Sequence, residues 1–189
     1  MQETPLRPRD IIKDEHENAV IEQFVAWFNG RTGKEYRVVA KPEPPDALIE
    51  HQGEQKWLEH ADIYRSPEEA RDEYFSITPG EQSRLSTAQA PAAPEARTAE
   101  SVYAIIQKKL AKASYSEVYD QHGSGILVLS ERDPLFNEST LNEIYELLDG
   151  AEYKNDKGFF EAVYLGIRSL GKLVFFQLYP NLNGADQSH

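Results

Sequence analysis

Pro45-Asp46-Ala47-Leu48-Ile49-Glu50-His51-Gln52-Gly53-Glu54-Gln55-Lys56-Trp57-Leu58-Glu59-His60-Ala61-Asp62 reads as two strands joined by a turn at His51-Gln52-Gly53-Glu54, with an acidic residue on each strand. Side chains alternate between the two faces of a strand, so Trp57, Glu59 and Ala61 share one face and Leu58 and His60 the other. The apolar neighbour Trp57 predicts that Glu59 points inward. A carboxylate at a half-buried position has to be paired or bind a cation, because burying it alone costs several kcal/mol. Mg²⁺ takes hard oxygen ligands and keeps several waters, so Asp46 and Glu59 on rigid neighbouring strands suffice as the protein's share of a site for Mg²⁺ or Mn²⁺. The competing reading leaves both acids solvated at hairpin ends, in a chain with 32 acidic residues.

The elements around this hairpin follow from periodicity. Val20, Ile21, Phe24, Val25 and Phe28 recur at helical spacing over Asp14 to Asn29, with Gly30 as the expected stop. Tyr36 to Ala40, Ala47 to Glu50 and Lys56 to Tyr64 read as three strands, bent at Pro42-Glu43-Pro44-Pro45 where proline removes ladder donors. Ser66-Pro67 opens a short helix. Thr78 to Ser101 loses apolar periodicity to Ala, Pro, Ser and charge and is expected to be a flexible loop, functional or a surface insertion. A helix is expected over Glu100 to Tyr119, a buried strand over Gly125 to Ser130, and a third helix over Thr140 to Leu148. Phe159 to Ile167 and Lys172 to Tyr179 read as a late hairpin, and the tail 181–189 as a polar extension.

Pro45-Asp46, an apolar strand, a Gly-containing turn and Trp57-Leu58-Glu59 together resemble the core of the PD-(D/E)XK phosphodiesterase superfamily, the fold of restriction endonucleases. The resemblance covers the segment from the first helix to the second. It implies an α/β fold with a mixed central sheet flanked by helices, a Mg²⁺ or Mn²⁺ cofactor on Asp46 and Glu59, and hydrolysis of nucleic acid. One position departs from the pattern: the triplet Glu59-His60-Ala61 carries alanine where the family has lysine. The missing lysine then comes from another element, or the site is degenerate.

Helical geometry supplies two further candidates. At 100° per residue Glu17 lies near the centre of the stripe of Val20, Ile21, Phe24 and Phe28, and the superfamily often contributes an acid from its first helix. Glu17 is therefore carried over to the catalytic set, with Glu22 as the fallback; the competing reading is an acid that complements the helix dipole. Lys109 falls among Val102, Ile105, Ile106 and Ala113 on the inward stripe, while Lys108 and Lys112 flank it. A buried lysine needs a carboxylate, which makes Lys109 the candidate for the missing lysine, against a reading in which its stem snorkels. Lys56, an odd number of residues from Glu59, faces the other way.

Composition bounds the function. At 189 residues one domain is expected. The absence of cysteine excludes disulfides, thiolate metal sites and thiol nucleophiles, and fits a cytoplasmic protein. Five histidines without HxH or HExxH spacing give little support to zinc catalysis, and His60 is expected to be packed or exposed. No phosphate loop, nucleophile elbow or dinucleotide fingerprint is present, and the first residues lack a membrane-length apolar run. A net charge of −12 disfavours a broad nucleic-acid surface while allowing a local cleft. Two functions remain: a metal-dependent phosphodiesterase using Glu17, Asp46, Glu59 and Lys109, or a catalytically degenerate fold serving as a binding or regulatory module, its acidic surface imitating nucleic acid toward a protein partner.

Overall fold

Gln52 and Gly53 both adopt positive φ, 51° and 86°, the two-residue turn whose twist matches that of the strands it joins. It folds β2 (Ala47–His51) back on β3 (Glu54–Ile63), in a register that sets Ala47 opposite Leu58 and His51 opposite Glu54. The computed structural model describes residues 8–63, 94–131, 138–150, 158–169 and 171–180. Within them β1 (Arg37–Ala40), β4 (Gly125–Glu131), β5 (Phe160–Ser169) and β6 (Lys172–Tyr179) complete a six-stranded sheet in sequential order. The pairs β1–β2, β2–β3 and β5–β6 are antiparallel, whereas β3–β4 and β4–β5 are parallel.

Each parallel pair needs a crossover, and helices supply both. α2 (Pro94–Leu110) and α3 (Tyr115–His122) connect β3 to β4, and α4 (Glu138–Gly150) connects β4 to β5. They cover one face of the sheet, where Val102, Ile106, Tyr115 and Ile144 pack against Trp57, Leu127, Leu129 and Val163. α1 (Pro8–Thr32) covers the other face and buries Val20, Ile21, Phe24 and Phe28 against Leu58, Ile126, Val128, Tyr164 and Phe175. β4 is enclosed along its whole length, which explains why Ile126-Leu127-Val128-Leu129 is apolar without alternation. The expected α/β class, with a mixed sheet flanked by helices, is observed. No helix among the described residues is long and apolar enough to cross a membrane.

Several element boundaries differ from the sequence expectation. α1 runs through Gly30 and stops at Gly33, whose φ of 68° and N–H bond to the Asn29 carbonyl (2.9 Å) close the last turn. Residues 94–101 are helical, not loop: Pro94 occupies the first helical position, and the buried Ala99 extends the stripe of Val102, Ile106 and Leu110 by one turn. The helix expected over Glu100 to Tyr119 is two helices, broken at residues 111–114. Ala113, assigned to the inward stripe, is consequently exposed. Residues 78–93 of the expected loop, the short helix at Ser66, and the tail 181–189 lie outside the described residues.

Candidate functional site

The antiparallel register carries Asp46, one residue before β2, to the position opposite Glu59, on the face that Leu48 and Trp57 share. Asp46 is half-buried and its Oδ2 accepts the His60 backbone N–H at 2.6 Å. Glu59 is 2% exposed, so the inward orientation expected beside Trp57 is what the strand adopts. Its Oε1 accepts from the Lys109 ammonium at 2.6 Å and from the Tyr115 hydroxyl at 2.6 Å, with Lys112 at 3.5 Å. Its Oε2 is buried with no hydrogen-bond partner. Lys109 also donates to the His60 carbonyl at 3.0 Å. That contact puts the ammonium against the peptide link that precedes Ala61.

Burial pushes the Asp46 carboxyl above its usual range, and the neighbouring Glu59 charge pushes it further, against the His60 N–H bond and the two lysines. Glu17 is half-buried on α1. Burial first, then the charge of Asp46, raises it to about 7, with Lys13 opposing. Glu17 and Asp46 line one open cleft of ≈ 170 Å³ together with Lys13, Asp14, Lys41 and Glu43. The Tyr115 hydroxyl is held protonated by burial and by its bond to the Glu59 carboxylate.

The structure therefore brings Asp46, Glu59 and Lys109 together, and places Glu17 close enough for its charge to couple to those of Asp46 and Glu59. Tyr115 and Lys112 were not singled out as partners of Glu59 by the sequence. The break after Leu110 turns α3 so that Tyr115 faces the sheet, and no Gly or Pro in Ala111-Lys112-Ala113-Ser114 announces that turn. Lys56 lies away from Glu59, paired with Glu161 at 2.5 Å, as its odd separation predicts.

On the opposite face of β3, His60 is 6% exposed and bonded to Ser130 (Nε2 to Oγ, 2.9 Å), so it is packed. It belongs to a second group the sequence reading did not assemble. His16, His60 and Asp62 present ligand atoms that all lie within 4.8 Å of one another, the one such group among the described residues. The signal present in the sequence was the pair His60-x-Asp62 on one strand face; His16, 44 positions upstream of His60, carried none.

Comparison of the chain with protein-family models, with curated proteins and with solved structures gave no match.

Proposed function

We propose that the chain is a metal-dependent phosphodiesterase of the PD-(D/E)XK type, with a restriction-endonuclease-like fold, acting on nucleic acid in a local cleft. The observation that carries this reading is the unpartnered Oε2 of Glu59. A buried carboxylate oxygen with no donor costs free energy unless a cation takes it, and Asp46 sits opposite on the neighbouring strand. Asp46 and Glu59 fit Mg²⁺ or Mn²⁺, being oxygen donors on neighbouring strands, with Asp46 lining an open cleft. When bound, such an ion polarises the phosphoryl group and makes an attacking water more acidic.

The remaining work falls to the chain's own side chains. Lys109, tied to Glu59 Oε1 and to the His60 carbonyl, stands beside the third position of the triplet and supplies from the helix the positive charge that Ala61 lacks. It stabilises charge developing on the phosphate. Glu17, raised to about 7, is able to take or release a proton near neutral pH from the side of the cleft. Tyr115 holds Glu59 in one rotamer, so that Oε2 keeps its direction.

One observation favours the degenerate reading: Glu59 Oε1 is already matched by two lysines and a tyrosine, an arrangement that neutralises the carboxylate without a metal. A net charge of −12 suits a module that binds a basic protein partner better than one that grips a nucleic-acid backbone. Incubation of the full chain with single-stranded DNA, duplex DNA and RNA in Mg²⁺ or Mn²⁺ separates the two. The nuclease reading expects metal-dependent cleavage of at least one substrate, lost in Glu59→Gln and in Lys109→Ala. Absence of cleavage on all three, together with no thermal response to either ion, leaves the degenerate reading standing.

A further inference from the structure

We propose a second metal centre, in which His16 Nε2, His60 Nε2 and Asp62 Oδ1 bind one divalent transition-metal ion of the zinc class on the face of β3 opposite Glu59. Three elements converge there. α1 brings His16, strand alternation brings His60 and Asp62 to its face, and the parallel register that pairs Asp62 with Ser130 brings the serine hydroxyl beside them. His16 Nε2 lies 2.9 Å and His60 Nε2 3.6 Å from Asp62 Oδ1, so both rings aim the same nitrogen at one oxygen. Tetrahedral zinc with bonds of roughly 2.0–2.2 Å separates its ligand atoms by roughly 3.3–3.6 Å. The two separations to Asp62 bracket that spacing, all three ligand atoms lie within 4.8 Å of one another, and adjustment at the partly exposed His16 would draw the group around an ion.

The donor set selects the metal. Two imidazoles and one carboxylate suit zinc-class ions and not Mg²⁺ or Ca²⁺, which prefer all-oxygen shells. Three protein ligands leave a fourth position for water, and Ser130 Oγ, 2.5 Å from Asp62 Oδ1, orients the carboxylate as outer-shell partners do. Burial opposes ionisation of Asp62, yet the His16 bond, the His60 charge and the Ser130 hydroxyl outweigh it and hold the carboxyl well below its usual range. An ion here clips α1 to β3. His16 precedes Glu17 and His60 follows Glu59, so the clip also sets the distance between the acids of the first site.

The test uses the untagged full chain, stripped with chelator and dialysed against micromolar Zn²⁺. Bound zinc near one per chain is expected, retained in Asp46→Asn and resistant to excess Mg²⁺. His16→Ala and Asp62→Asn should weaken binding at least as much as the roughly 10–100-fold that outer-shell losses cost. His16 is one-fifth exposed and alanine is the best helix former, so His16→Ala is expected to keep the circular dichroism of the chelated wild type. X-ray absorption on zinc-loaded wild type, which needs no variant, should report two imidazoles. Failure to retain zinc, a first shell with fewer than two imidazoles, or undiminished binding in a folded His16→Ala overturns the proposal.

Discussion

Glu59 uses its two carboxylate oxygens differently. Oε1 is crowded with donors and Oε2 has none, so side chains that look equivalent in the sequence have unequal consequences. Tyr115→Phe removes one of two 2.6 Å bonds to a buried charge, and the expected loss is about 1.5–3 kcal/mol in urea denaturation. Replacing Lys112 by alanine, a longer contact on an exposed side chain, should cost under about 1 kcal/mol. Glu17 gives a pH signature. Its folded carboxyl titrates at about 7 against an ordinary 4.5, so between those values the native state holds a proton that the unfolded chain has released. Stability therefore falls as pH rises from about 4.5 to about 7 and is flat above, by an amount on the order of 1–3 kcal/mol. Glu17→Gln should flatten that slope and melt higher than wild type at pH 8. A wild type whose metal-free stability rises through this window would show that Glu17 is an ordinary solvated acid.

Elements position these residues through backbone approach as much as through side chains. A Cβ on Gly125 would lie 2.2 Å from the Trp57 ring, which is buried and anchored by its own bond to the Gly123 carbonyl at 2.7 Å. Gly125→Ala must push the Trp57 ring aside, and Trp57 packs on Tyr115, which bonds Glu59. The expected cost is about 1–3 kcal/mol or more by chemical denaturation, with weakened response to Mn²⁺. Gly33→Ala, at positive φ but in open space, should cost only about 1–2 kcal/mol and leave the site untouched. The hairpin, the α1 stripe, β4 and the inward lysine were legible because each rests on local periodicity or turn chemistry. The break at 111–114 was not: alanine, lysine and serine there are compatible with a continuing helix, and the packing of Tyr115 between Trp57 and Phe160 decides otherwise. The start of α2 was hidden for a related reason: its first turns carry helix propensity but add only the small Ala99 to the stripe of Val102 and Ile106. The His16 group was illegible because its members meet only after α1 docks on the sheet.

At the scale of the molecule, the proposed Asp46–Glu59 metal site would make folding and cation binding one equilibrium, because the Glu59 charge already disfavours ionised Asp46. A divalent ion at a hundredfold excess over its Kd adds ~2.7 kcal/mol, which for a chain of this length raises Tm by roughly 5–10 °C. Mn²⁺ should produce such a shift in wild type and none in Asp46→Asn, whose metal-free form should be equally or more stable because one of two crowded charges is gone. Zn²⁺ should still stabilise Asp46→Asn, since it addresses the other face. The Gln52-Gly53 turn reaches further than its size: residues 46–51 form one arm of the hairpin and residues 54–59 the other, six residues each, and the turn is the pivot from which both are measured. Adding or deleting one residue in the first arm turns Asp46 away from Glu59, and the same change in the second arm swaps Glu59 with His60 across the sheet. Tolerance to changes in chain length in this half of the molecule should thus be confined to the proline bend ahead of Asp46, where a longer or shorter path leaves the count between the two acids intact.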